Sequence, residues 1–283
     1  MKLRAFQLLL LPCLVLLSIP VLTFADSTSP TIVGQVLNPE EPLSDNIPIK
    51  TEQETDKKKN KRATTLSQWV IHQLEANQVQ IAVISRIGSN LAILFDKTGM
   101  THSGYVFKHP ITHEWITYSL YSDPTHDYKK SKVWQQNVKS FYYGQSGRRT
   151  DTLLLIPPAD MQKKLYKQLI SQSFNLLLPE NEHYSLVAPI ESPTSFNCTK
   201  WVLLQYFAAI HNSDNPAGII AQMAQDYPVP MVKPGLLVRT ILKRKPDVDW
   251  TELSPPNRIH TTTVNSMRQS ELFETKIFYH NHH

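Results

Sequence analysis

Pro193-Thr194-Ser195-Phe196-Asn197-Cys198-Thr199-Lys200-Trp201-Val202 runs from a polar lead-in straight into the apolar stretch Trp201-Val202-Leu203-Leu204. Trp201, Leu204 and Ala208 recur at helical spacing, and Ser195 or Asn197 is the natural cap, so a helix is predicted from about Cys198 to His211. Cys198 then falls in the first turn. There the unpaired backbone N–H groups and the positive end of the helix dipole favour a thiolate. They would also face an oxyanion formed when that sulfur attacks a carbonyl. A second reading fits the same position, that of a small buried hydrophobe, which free cysteines often are.

Working outward, the chain alternates strand-like and helix-like patterns. Thr65 is a candidate cap for a helix carrying Trp69, Val70, His72, Leu74 and Glu75 and ending near Asn77. Val79–Ile84 alternates like a strand. Gly104–Phe107 and Trp115–Tyr121 are two strand-like runs joined by a turn at His109-Pro110. Thr152–Ile156 is another, stopped by Pro157-Pro158. A helix follows with Met161, Leu165 and Leu169 on one face and Lys163, Lys164 and Lys167 turned away. Tyr184–Val187 precedes the Cys198 helix, Asn215–Asp226 suits a third helix, and Thr261–Val264 reads as a last strand leading into a short helix. Strands gather in the first half and helices in the second, which predicts an α+β domain.

Composition narrows the functional classes. The chain has 283 residues and only 8 glycines, about 3% against the usual 7% or so. No glycine-built phosphate motif occurs, neither G-x-G-x-x-G nor G-x-x-x-x-G-K-[ST]. Two cysteines cannot make a disulfide framework or a four-cysteine zinc site. Acidic residues show no metal-ligand spacing and H-E-x-x-H is absent, so no metal and no cofactor is expected.

Residues 1–25, MKLRAFQLLLLPCLVLLSIPVLTFA, have the layout of a secretory signal peptide. Lys2 and Arg4 precede an apolar run from Phe6 to Phe24, and Thr23-Phe24-Ala25 offers the small residues a signal peptidase accepts. Cleavage after Ala25 is expected, giving an exported, periplasmic or secreted protein with no stable transmembrane segment. The competing reading is an uncleaved anchor, since about 20 apolar residues can cross a bilayer. Removing Lys2 and Arg4 takes two charges from a formal net charge of +5, leaving +3. That mild excess makes no case for nucleic-acid binding, which shows a concentrated basic face. Residues 26–62 lack aromatics, carry scattered prolines and end in Lys57-Lys58-Lys59-Asn60-Lys61-Arg62; they read as a disordered linker, with the folded domain spanning 63–283. Export leaves Cys198 as a lone thiol in an oxidising compartment, either buried and inert or reactive.

A thiolate nucleophile is normally served by a histidine, which takes and returns a proton near neutral pH. Of eleven histidines, His280, His282 and His283 belong to a C-terminus expected to fray. His109, His113, His126, His183 and His260 fall in loop-like stretches, and His72 and His211 in or near helices. His102 stands apart in Thr101-His102-Ser103-Gly104-Tyr105, at the start of a strand where Gly104 allows close approach. Tyr142-Tyr143, Gly144 and Arg148-Arg149 suggest either a groove for an anionic, carbohydrate-bearing ligand or a solvated loop, the latter being the simpler reading.

The His-x-Gly strand start, the adjoining antiparallel strand and the later N-C-x-x-W-V helix start together resemble the circularly permuted, NlpC-type branch of the papain-like superfamily, in which histidine precedes cysteine. More narrowly, the chain resembles a family of exported bacterial proteins of unknown function. The shared stretches are Ser85-Arg86-Ile87-Gly88, Leu154-Leu155-Ile156-Pro157-Pro158 with Gln162 and Leu165, Tyr184–Ala188, Asn197–Leu203 and, more weakly, Thr262–Ser266. The resemblance covers roughly residues 65–270. It implies a papain-like antiparallel half-barrel sheet with packed helices, Cys198 as nucleophile and His102 as base and then acid. A third polar residue on the next strand would orient the histidine, and there the chain offers only Ser119, with Tyr118 turned the other way and Glu114 at the strand's start. The implied activity is that of a cysteine amidase, peptidase or acyl hydrolase acting on a cell-envelope peptide, glycan or lipid. The rival is a papain-like binding or scaffold protein that has lost turnover, which the weak acceptor Ser119 favours.

Overall fold

The computed structural model describes residues 54–88, 99–123, 127–145, 151–171, 178, 182–229, 231–232, 240, 243–245, 247–249, 251 and 259–280. The leader, most of the linker, His126, Arg148, Arg149, His282 and His283 therefore lie outside the described residues. Ten strands and six helices are present among them, in the order α1 (Glu54–Ala76), β1 (Ile81–Arg86), β2 (His102–Lys108), β3 (Trp115–Asp123), β4 (Asp127–Asn137), α2 (Val138–Tyr143), β5 (Thr152–Ile156), α3 (Ala159–Ser171), β6 (His183–Tyr184), β7 (Ser195–Phe196), α4 (Cys198–His211), α5 (Pro216–Asp226), β8 (Met231–Val232), β9 (Ile259–His260), α6 (Val264–Gln269) and β10 (Thr275–Tyr279).

Eight strands form one curled half-barrel sheet in the order β10-β5-β1-β2-β3-β4-β6-β7, and β8 pairs with β9 in a small second sheet. All pairings in the large sheet are antiparallel except β6 with β7. β1 is central and every residue in it is buried. Its side chains alternate between two cores, as strand geometry requires. Ile81 and Val83 join Tyr105, Phe107, Leu153 and Leu155 under α4, whereas Ala82 and Ile84 join Val106, Leu154 and Ile156 under α1 and α2. Full burial of a large side chain such as Trp201 or Phe141 contributes about 1.5–3 kcal/mol.

The mixed α+β order expected from the sequence is present. Four local expectations are corrected. Helix α1 begins at Glu54, inside the stretch read as linker, and Thr65 is an interior residue whose hydroxyl bonds the Lys61 carbonyl at 3.1 Å. The reason is anchoring: Ala63, Leu66, Val70 and Leu74 are buried in one core, and Arg62 donates to the Gln145 carbonyl at 3.0 Å. The helix-favouring lysines 57–59 extend it into solvent. Thr261 makes only a single bridge, to Pro189, and Thr263 is instead the cap of α6, with Ser266 completing a capping box. His280 is not frayed, since its Nδ1 lies 2.7 Å from the buried Asp151 carboxylate after β10 has paired with β5. Tyr142 lines no groove; it is fully buried, with its hydroxyl on that of Thr152 at 2.5 Å.

Candidate active site around Cys198

Asn197 is the cap of α4, as one of the two sequence candidates, and its side chain is fully engaged. Its Oδ1 accepts from the Lys200 N–H and the Thr199 hydroxyl, both at 2.8 Å, and its amide nitrogen donates to Thr261 Oγ1 at 3.0 Å and the Leu186 carbonyl at 3.3 Å. Lys200, one turn further, is wholly buried. Its ammonium donates to the carbonyls of Pro189 at 2.7 Å, Ser195 at 2.8 Å and Ser192, and lies 4.6 Å from the centre of the Phe196 ring. The lead-in loop is thereby strapped to the first turn of α4, which fixes the place of Cys198.

Cys198 is 1% exposed. Its S–H donates to the Thr101 carbonyl at 3.4 Å, and the Ser103 N–H lies within hydrogen-bonding range of the sulfur. The sulfur thus rests on the backbone either side of His102. Beside it is a cavity of about 40 Å³ bounded by Met100, Val187, Thr262 and Val264, roomy enough for a water molecule or two. Burial pushes the thiol pKa up, against the opposing pull of the Ser103 N–H, the Arg86 charge and the N–H groups of the α4 start. The helix mouth alone therefore does not ionise the sulfur: desolvation is the larger effect in the closed site.

His102 opens β2 directly opposite Arg86 on β1. Its ring shares a sheet face with Val106, packing 4.3 Å from Tyr121 and 5.5 Å from Phe141 of α2 between ring centres. The imidazole and the sulfur therefore approach the first residues of β2 from opposite faces. His102 is 6% exposed and its Nε2 is buried without a hydrogen-bond partner. Its pKa lies well below the usual histidine value, first because of burial and second because of the Arg86 charge.

Ser119 lies on the same face but does not orient the imidazole. Its hydroxyl is fully buried and makes no hydrogen bond. It fills the space over Gly104, where an added Cβ would stand 1.9 Å from Ser119 Oγ and 2.5 Å from the Tyr118 carbonyl. That close approach is the reason for glycine in the His-x-Gly pattern. Tyr118 does turn to the other face, its hydroxyl on Gln135 at 2.9 Å.

Three side chains around this centre were not singled out as site residues from the sequence. Arg86 is 6% exposed, with Nη1 on the carbonyls of Ile87 at 3.2 Å and Gly144 at 2.8 Å. Its guanidinium carbon lies 5.2 Å over the Phe141 ring, and its Nε is buried without a partner. Tyr121 packs its ring on His102 where the sequence pattern called for a polar acceptor. Tyr184, buried on β6, is electrostatically coupled to Cys198, Tyr121 and Arg86, and burial holds its phenol well above the usual range. A charged residue at the end of the otherwise apolar Ile81–Ile84 strand was the one available signal for Arg86.

Fold and site together define a class: an α+β protein whose curled antiparallel sheet meets a cysteine at the mouth of a buried helix. The chain belongs to the bacterial family described as uncharacterized protein conserved in bacteria (DUF2145), whose family pattern matches residues 73–269. No curated protein and no solved structure matches it. None of the described helices is long and apolar enough to cross a membrane.

Proposed function

We propose that this protein is a cysteine-dependent acyl hydrolase, an amidase or peptidase, on a permuted NlpC-type papain-like fold, exported to the cell envelope and acting on its peptides. One observation carries the reading: the Cys198 sulfur, at the start of α4, contacts the backbone on both sides of His102. In the reaction the sulfur attacks the substrate carbonyl carbon, and the N–H groups at the α4 start receive the oxyanion. His102 takes the thiol proton as the sulfur attacks, gives it to the leaving group as the acyl bond breaks, and then takes a proton from the water that releases the acyl group and restores it to the sulfur. The layout of residues 1–25 supports export. The imidazole and the sulfur reach the start of β2 from opposite faces, so the chemistry requires the backbone at His102, the first residue of the strand, to rearrange when substrate binds.

The test is to incubate the protein with cell-wall peptide fragments and with small activated acyl esters, following acylation of the Cys198 peptide by mass spectrometry. Acyl-enzyme and turnover are expected, with Cys198→Ala abolishing both and His102→Ala reducing turnover about 100-fold or more. No acylation by any of these substrates from a folded protein would reject the reading.

The burial of both reacting groups, with a bare Ser119 hydroxyl, favours a second reading, a papain-like binding or scaffold protein without turnover. In that case Cys198→Ser keeps full affinity for envelope peptides or glycans and leaves the cellular role intact.

A further inference from the structure

Resting on the cysteine-hydrolase reading, we infer that the cavity beside Cys198 is the acyl subsite and selects a carbonyl bearing a methyl-sized, uncharged substituent. The size, the chemistry and the rigidity of the cavity carry this. Its volume is about 40 Å³. That is far below the ~150 Å³ that accepts a benzene ring, and it suits about one or two carbon atoms. Met100, Val187 and Val264 are buried and form its floor, whereas Thr101, Leu186 and Thr263 are half-buried and form its rim.

Every polar side chain on the wall already has a partner. Thr101 Oγ1 accepts from the Gly88 N–H at 3.2 Å, Thr261 Oγ1 from the Asn197 amide at 3.0 Å and Thr263 Oγ1 from the Ser266 N–H at 3.0 Å. The Thr199 and Thr262 hydroxyls bond each other at 2.9 Å, and both reach Asn197 Oδ1. A charged substituent would enter without a partner, at a cost that an alkyl group escapes. The walls are also fixed. The Thr199 hydroxyl donates to the Thr262 carbonyl at 2.8 Å, the Thr101 N–H to the Arg86 carbonyl at 3.1 Å and the Leu186 N–H to the Asp247 carbonyl at 2.8 Å, so three separate segments are pinned. A pocket that cannot widen rejects each added methylene by about 10-fold or more. Attack by Cys198 forms a bond from sulfur to the acyl carbon and breaks the bond to the leaving group, which departs with the proton. The acyl group is then tethered at the cavity wall, and its substituent is the part that must enter. An acetyl group and an alanyl residue both present such a substituent.

The first measurement needs no turnover. Alkyl methanethiosulfonates transfer an alkylthio group to a thiolate, forming an S–S bond and releasing methanesulfinate. Mass spectrometry of the Cys198 peptide from the full chain gives the rate, taken relative to free cysteine. The methyl reagent is expected to react about 100-fold or more faster than the hexyl reagent. Val187→Ala removes two carbons from the floor and should raise the hexyl-to-methyl ratio about 10-fold; Val264→Ala serves if Val187→Ala does not fold. A ratio taken on one preparation cancels any loss of folded protein. Equal rates, a faster hexyl reagent, no modification by either, or a ratio unmoved in both variants overturns the inference. The second measurement compares para-nitrophenyl acetate with the N-formyl-alanyl and N-formyl-leucyl esters of the same phenol. The faster of the first two should acylate Cys198 about 10-fold or more above the leucyl ester, and which of them it is names the source. Size selection by the thiosulfonates without acyl-enzyme from any ester keeps the cavity assignment and rejects the hydrolase reading. An acyl-enzyme formed without size selection does the reverse.

Discussion

Two buried polar regions flank Cys198 and are treated in opposite ways. On the α4 side, Asn197 and Lys200 are saturated: the amide meets five partners, and the ammonium directs its three donors to three carbonyls. On the α2 side, Arg86 Nε, His102 Nε2 and Ser119 Oγ are all buried and bare. Saturation fixes the position of the helix mouth. Unmet capacity is costly, about 1–3 kcal/mol per neutral group, and native folds retain it where chemistry or binding uses it. The contrast holds for these particular groups and not for the whole α4 side, where Ser195 Oγ and Trp201 Nε1 are also buried and bare.

The comparison can be broken at the saturated side first. Lys200→Met leaves three carbonyls without their donor and is expected to destabilise the fold by about 3–5 kcal/mol, measured as a lower urea midpoint with an unchanged slope; a loss below about 1 kcal/mol would show the strap to be dispensable. Asn197→Ala removes the helix cap and its hydroxyl contacts, and should cost about 2 kcal/mol in the same titration.

The unsaturated side is sharpened by pH. A histidine whose folded pKa is depressed binds fewer protons folded than unfolded. Stability is therefore unaffected well above the unfolded value of about 6.5. It falls as pH drops below that value, by up to about 1.4 kcal/mol per pH unit, until the folded pKa is passed. His102→Gln should flatten this acid limb, and a limb unchanged in the variant would assign it to other groups. The smallest effect is expected from Ser119→Ala. Deleting a hydroxyl that bonds nothing should change stability by no more than about 0.5 kcal/mol and leave Cys198 ionisation unmoved. A clear loss of turnover would instead restore Ser119 as the orienting residue.

Legibility followed burial. The apolar runs Ile81–Ile84 and Leu153–Ile156 and the amphipathic α3 announced themselves, as did the cap and start of α4. β4 did not: Lys129, Lys130, Lys132, Gln135 and Gln136 give it little apolar alternation, and it exists because β3 offers an edge over its whole length. β10 is mostly exposed and forms likewise by pairing with β5. At the site, Cys198 and the His102 strand start were readable because helix caps and glycine spacing are local signals. Arg86 and Tyr121 were not, because their meaning depends on the strands beside them.

The order of residues alone determined an α+β chain, a cysteine at a capped helix start and a histidine at a glycine-bearing strand start, all properties that short-range sterics and periodicity impose. Only the tertiary structure decided that the sulfur is desolvated, that the imidazole faces aromatic rings and that a buried guanidinium shares the imidazole's face of the sheet. Desolvation and charge proximity are set by residues distant in the chain, and no local pattern encodes them.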